Sequence, residues 1–329
     1  MMRRREFLAG IGSTAAAWPL LAGAMPALAQ TPNRVYRLGH LGNSAASEAF
    51  TRQITLPELA RLGFAEGRNL EFDSRVGGPD AILGLMRELL AARPDAVIAI
   101  GPTAIAAAGA ATRTVPVVAF GADLIELKLA ASYARPGLNV TGVVILANEL
   151  EVKRLSILLE AVPEQRRVAV LTSAVTAVTA VGEAAMRKAA VGLGVELLAF
   201  SVAGPADYPA AFAAMRAAGA QALVISATSE FYRDAKQLAA LALEARLPTV
   251  CEWADMARSG CLIGYGPNRT ALRKRTAAQI ALIFGGAAPG DIPIERPTVF
   301  EFAVNQKIAK SLDLSIPPAV LAQADEVIE

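Results

Sequence analysis

The residues able to do chemistry in this sequence sit just after short apolar runs, and they are suited to holding a molecule rather than transforming one. Gly101-Pro102-Thr103 follows the run Ala96–Ile100 and opens a helical pattern. Backbone N–H groups at such a helix start, with the positive end of its dipole, favour a carboxylate or another anion, and Thr103 can add a hydroxyl donor. Thr103 as an ordinary helix cap is the competing reading. Asp123 lies about twenty residues on, after Val115–Phe120, where a carboxylate could meet an ammonium or cap the next helix. Asn43 and Ser44 follow the first run as a small polar loop, equally suited to contact or to a turn. Thr172 and Ser173 offer hydroxyls from a later strand end, or cap a helix. Ser229, Glu230 and Phe231 end another run, with Phe231 also readable as core. Glu252-Trp253 follows a further one, and its indole could wall a pocket or pack a hinge.

Catalytic sets are missing. His40 is the only histidine and ends the first strand, no plausible site for a Ser-His-Asp triad; one histidine makes no metal cluster, and a satisfied strand-end histidine is expected. Neither a Gly-x-Ser-x-Gly elbow nor a phosphate-binding glycine loop occurs. Cys251 and Cys261 are the only cysteines and form no metal signature; their strand-like neighbours favour small, buried free thiols, with oxidation open to an exported protein. No cofactor and no metal are expected.

The elements that must position these residues alternate regularly. Ten short apolar runs, from Val35–Leu41 to Cys261–Tyr265, are separated by helical patterns that include Ser47–Leu62, Ile125–Tyr133 and Arg269–Phe284. Continuous apolar runs read as parallel strands covered on both faces. The pattern predicts an α/β protein of two doubly wound parallel-sheet lobes, with a ligand in the crevice at the carboxyl ends of the strands. A late strand at Pro297–Asn305 predicts that the chain crosses between lobes more than once, making a multi-strand hinge. Expected boundaries are residues 30–145 with a return segment near 266–290 for the first lobe, and 146–265 with 291–329 for the second. Pro317-Pro318 is expected to stop the helix before it.

The N-terminus predicts a compartment. Arg3, Arg4 and Arg5 precede an apolar, alanine-rich stretch that ends in Ala27-Leu28-Ala29, the anatomy of a signal peptide cleaved after Ala29. Arg4-Arg5-Glu6-Phe7-Leu8 is similar to a twin-arginine signal. Export to the periplasm is therefore expected. Without residues 1–29 the formal charge falls from +2 to about zero, so the basic balance is no argument for nucleic acid or membrane partners.

The stretches LGFAEGRNLEF (62–72), ARPGLNVTGV (134–143), KRLSILLEAVP (153–163), EWADMARSGCLIGYGPN (252–268), RPTVFEFAVNQKIAKSLDLSIPP (296–318) and LAQADEVIE (321–329) carry a family signal. Through them the sequence resembles the ABC transporter substrate-binding family of the tryptophan/tyrosine type, with the type I periplasmic binding protein fold. The resemblance implies capture of a small solute, an amino acid or related carboxylate, by a monomer that delivers it to an ABC permease. It also puts Asp123 where the family begins an Asp-Pro-Val-like element. Three departures fall at strand ends: Pro57 inside the first expected helix, Thr172-Ser173-Ala174-Val175 in place of an asparagine-proline pair, and Thr228-Ser229-Glu230-Phe231 in place of Asp-Pro-Phe-Phe. They bear on ligand identity rather than fold. Two other functions fit the residues: a ligand-sensing subunit for a membrane receptor, and a cleft enzyme using Asp123 or Glu230 as base.

Overall fold

Apolar strands with no polar face can be stable only when helices cover both sides of their sheet. The computed structural model, which describes residues 34–174 and 179–329, shows two such sheets. The export segment at residues 1–29, with its cleavage after Ala29, and Val175 lie outside the described residues.

The first sheet holds β1 (Tyr36–Gly42), β2 (Leu70–Val76), β3 (Ala96–Ile100), β4 (Val117–Gly121) and β5 (Val140–Val144) in the order β2-β1-β3-β4-β5, all parallel. The second holds β6 (Arg167–Ser173), β7 (Glu196–Val202), β8 (Ala222–Ile225), β9 (Thr249–Cys251), β10 (Ile263–Pro267), β11 (Phe300–Asn305) and β12 (Glu326–Ile328) in the order β12-β11-β10-β9-β8-β6-β7. In each sheet the order reverses beside the first strand laid down, which opens a crevice at the strand ends. β3, β5, β8 and β9 are buried at every residue; β3 and β8 are unbroken apolar runs, while β5 and β9 also bury Thr141 and Thr249. β7 closes one edge and alternates in exposure.

The chain passes between lobes three times. It leaves β5 for the helix Ala147–Ala161, leaves β10 for the helix Arg269–Phe284, and returns into β11. The helix Arg269–Phe284 packs Leu272, Ala277, Ile280 and Phe284 into the first-lobe core. The following segment stays with that lobe through Glu295, which pairs with Val143, while Ile292 and Ile294 are buried there. The expected changeover at residue 291 therefore falls after Glu295. β11 enters from the cleft end, opposite to β10, and so pairs with it antiparallel, the exception to parallel pairing in the second sheet.

Three local expectations need correction, and a fourth, the helix Ser47–Leu62 that Pro57 should kink or break, is met by a bulge. The pattern Ser47–Leu62 is helical throughout, but Thr51–Thr55 widens to a π turn between the helices Ala45–Phe50 and Leu56–Arg61. That bulge accommodates Pro57, which lacks an N–H and would clash with the preceding turn of a regular helix. Ile125–Tyr133 is a series of turns rather than a helix, because Leu124 and Leu129 both fold inward around a left-handed Lys128. The helix Gln306–Ser311 ends well before Pro317-Pro318, and Pro318 instead opens the helix Pro318–Leu321. Finally, Cys251 and Cys261 form a disulfide rather than free thiols. The helix Ala254–Arg258 between them turns the chain back from β9 to neighbouring β10 and leaves the two Cα atoms 6.4 Å apart.

Candidate functional site

The carboxyl ends of both sheets face one cleft with a cavity of about 140 Å³, of the kind that takes a small molecule. Ten of the residues read from sequence line it: Asn43, Ser44, Gly101, Pro102, Thr103, Asp123, Ser229, Glu230, Glu252 and Trp253. Three do not. Phe231 is core, against Tyr208, because Thr228 caps the short helix Ser229–Arg233 by accepting from the Phe231 N–H and turns that ring inward. Thr172 is buried and donates to the Phe200 carbonyl, and Ser173, also buried, is likewise off the cavity wall.

The anion-favouring helix start is open. Gly101 has φ +85°, and the helix Pro102–Ala111 begins there without any side-chain cap, so Thr103 is not spent on capping. A Cβ at Gly101 would lie 3.4 Å from the Ser229 hydroxyl, which places a first-lobe strand end against a second-lobe one. Asn43 keeps a buried Oδ1 without a hydrogen-bond partner, whereas Ser44 caps the helix Ala45–Phe50 by accepting from the Ser47 N–H.

Asp123 is committed elsewhere. Its Oδ1 accepts from the N–H groups of Ile125 (2.8 Å) and Glu126 (3.3 Å), and its Oδ2 accepts from the Tyr133 hydroxyl. Burial, then this carboxylate, push the Tyr133 pKa up to about 12. Asp123 lines the cleft and ties the turn after it to Tyr133. Glu230, at the cleft edge, is partly exposed.

The strongest electrostatic features are residues the strand-end reading passed over. Arg273 is 2% exposed, lines the cleft, and has no acidic partner among the described residues. Its guanidinium stacks 4.1 Å from the Phe120 ring centroid, donates a long 3.4 Å bond to Thr51 Oγ1, and leaves Nε unpaired. Desolvation first, then Arg269, lower its pKa to about 9, so it is still charged at neutral pH. Because the Gly101 N–H donates to the Phe120 carbonyl, the open helix start and Arg273 are joined through Phe120. One helical turn earlier, Arg269 pairs with Asp255 at 3.0 Å and lies over the rings of Tyr232, Phe50 and Trp253.

The second-lobe wall carries the opposite charge. Glu151 and Glu252 are buried and line the cleft, with Arg154 buried behind them. Glu252 is pushed up to about 7 by burial and by Glu151, against the pull of Arg154 and Arg269. Gly266 lets this wall form: a Cβ there would lie 2.1 Å from the Glu252 carbonyl oxygen.

A signal for these residues exists in the sequence. Arg273 falls on the same helical face as Ala277, Ile280 and Phe284, and Glu151 on the same face as Leu155 and Leu158. A charge on an apolar face is the departure from amphipathic pattern that marks it.

His40 is fully buried in β1. Its Nδ1 meets Ser74 Oγ at 3.0 Å but its Nε2 has no partner, so it is only half satisfied. Burial, then the nearby Arg273, lower its pKa to about 3, so it is neutral.

The sequence profile of the family described as ABC transporter substrate binding protein matches residues 51–328. The chain belongs to this family. The substrate-binding protein is similar in fold to a conserved domain protein of Vibrio cholerae, at 23% identity and a TM-score of 0.83, covering 89% of this chain and 100% of that one. It is similar to an ABC domain from Streptococcus pneumonia in complex with L-Trp, at 21% identity and 0.82, with the same coverage. An ABC transporter solute binding protein from Agrobacterium vitis with bound allitol matches at 14% identity and 0.60, covering 84% and 98%. No curated protein matches. These neighbours share the two-lobed type I periplasmic binding protein architecture, and the ligands they carry differ. Among the described residues, no group of three His, Cys, Asp or Glu could hold a metal, and no helix is long and apolar enough to cross a membrane.

Proposed function

We propose that this substrate-binding protein captures a small carboxylate-bearing solute, the class that includes amino acids, and delivers it as a periplasmic monomer to an ABC permease. The observation that carries this reading is Arg273: a buried guanidinium on the cleft wall without a carboxylate of its own. A buried unpaired charge is costly, so a protein that keeps one gains by supplying the counterion at binding. The uncapped helix start adds the Thr103 N–H, since the Gly101 N–H donates to the Phe120 carbonyl and Pro102 has none. The L-Trp bound by the pneumococcal neighbour is consistent with the class, while the allitol of the Agrobacterium one shows that the fold alone does not fix it. Residues 1–29 would supply export, with cleavage after Ala29.

Calorimetric titration with amino acids, simple carboxylates and neutral sugars tests the reading. Binding should be confined to solutes with a carboxylate. Trp253, buried on the cleft wall beside Arg269, should change its emission on filling. Tight binding of a neutral sugar with no carboxylate binding would overturn it. A receptor-docking role shares this cleft and is separated by whether the loaded protein stimulates a permease. An enzymatic role for Asp123 has no support in its geometry, since its carboxylate already takes two turn N–H groups and the Tyr133 hydroxyl.

A further inference from the structure

Arg273 accounts for one end of a ligand and leaves the opposite wall unexplained. There, two buried carboxylates share one buried guanidinium. Arg154 spends Nε on the Tyr265 carbonyl (2.9 Å) and Nη2 on the Glu252 main-chain carbonyl (3.3 Å). Its Nη1 stands 3.7 Å from Glu151 Oε1, too far for a hydrogen bond. Glu151 Oε1 accepts from the Ala227 N–H at 2.7 Å, and Glu151 Oε2 has no partner. Both carboxylates line the cleft and Arg154 does not.

We propose that Glu151 and Glu252, backed by Arg154, form an ammonium-binding subsite, so that the captured carboxylate also carries a cationic amine. This rests on the capture reading above and narrows its solute to amino acids and their close relatives. The charge count favours it: two buried carboxylates on the cleft wall share one buried guanidinium, and the nearby Arg269 is already paired with Asp255. An ammonium supplies the missing cation and three N–H donors, which suit the unpartnered Glu151 Oε2 and the neighbouring Glu252. Without ligand the wall takes up a proton instead. The groups around Glu252 are Glu151 and Arg154 on the helix Ala147–Ala161, Arg269 on the helix Arg269–Phe284, and adjacent Trp253; burial outweighs the pull of Arg154, Glu151 adds a smaller push upward, and Glu252 is raised to about 7. Glu151 is pushed upward as well, by burial, despite Arg154 and the Ala227 N–H. Asp123 is the weaker acceptor, because its oxygens already take the Ile125 and Glu126 N–H groups and the Tyr133 hydroxyl. With Arg273 on the first-lobe side, the cleft presents opposite charges to the two ends of a zwitterion.

The test is calorimetry with the L-amino acids and, for the tightest, its desamino acid, in which hydrogen replaces the amine. Titrations run at pH 5 to 8 in two buffers of different ionisation enthalpy. The amino acid should bind at least ten- to a hundredfold more tightly than its desamino partner. It should release about one proton at pH 6. Its affinity should rise up to about tenfold per pH unit and level off above pH 7, because the proton lost is the one held by Glu252. Glu252→Gln should abolish both the proton release and the pH slope. Glu151→Gln, whose carboxylate touches only the cleft, Ala227 and Arg154, should weaken the amino acid without weakening the desamino acid. Equal affinity for the pair with no proton release would overturn the amine subsite and leave carboxylate capture standing. Failure of every aminated carboxylate to bind would overturn the subsite too. Binding of neutral solutes alone would overturn the capture reading along with it. The proton count on the unmodified protein decides the matter even if a variant misfolds.

Discussion

Arg273→Met separates a binding group from a structural one. A buried ion-paired arginine stabilises its fold, and its removal costs about 3–5 kcal/mol because the partner is stranded. Arg273 strands nothing: it has no acid, one long bond to Thr51 and an unpaired Nε. Holding it in the cleft wall lowers its pKa from 12.5 to about 9, a cost on the order of 5 kcal/mol to the charged form. Methionine keeps much of the apolar stem against Phe120 and removes that cost. The unliganded variant should therefore melt at or above the temperature of the parent. Its affinity for a carboxylate should fall by a charged hydrogen bond or more, about 1.5–3 kcal/mol, or roughly ten- to a hundredfold. Differential scanning fluorimetry and calorimetry on the same preparation give both numbers. A variant that binds the carboxylate as well as the parent, or that loses several kcal/mol of stability without ligand, would refute the reasoning.

Three further outcomes are expected. Reduction of Cys251–Cys261, or its replacement by serines, should lower stability by about 3 kcal/mol, the chain-entropy value for a separation of 10 residues, and loosen the Glu252–Trp253 wall; denaturant melts with and without reductant measure it. Because His40 titrates near 3 when folded and near 6.5 when unfolded, its contribution is present above pH 6.5 and is lost as pH falls toward 3, by up to about 1.4 kcal/mol per unit; His40→Gln should flatten that acid limb in urea melts, and a parallel loss would count against it. Asp123→Ala should cost about 1 kcal/mol through the lost turn and Tyr133 bonds while changing ligand affinity less than about threefold, and a large affinity loss would restore it as a ligand contact.

The strands were legible because parallel, doubly covered strands leave unbroken apolar runs, as in Ala96–Ile100, which matches β3 to the residue. The strand-end loops followed, since a doubly wound sheet presents them to its cleft, and Gly101, Thr103, Ser229, Glu252 and Trp253 all face the cavity. What escaped was decided by tertiary context. β12 is three residues long and exists only because β11 offers it an edge. The disulfide depends on how the helix Ala254–Arg258 returns the chain, which spacing alone does not state. Asp123 carried the right chemistry, but a tyrosine ten residues later claims it. Arg273 and Glu151 were hidden in the middle of helices, where a charge usually faces solvent. Only the periodicity of their neighbours turns them inward.

The central claim, capture of a small carboxylate in the cleft, is tested most directly by native mass spectrometry of the exported protein, purified without unfolding, with the released molecule then identified. The account predicts one adduct per chain that carries a carboxylate and is absent from the Arg273→Met variant. A neutral sugar in its place, or a carboxylate retained equally by that variant, would contradict it.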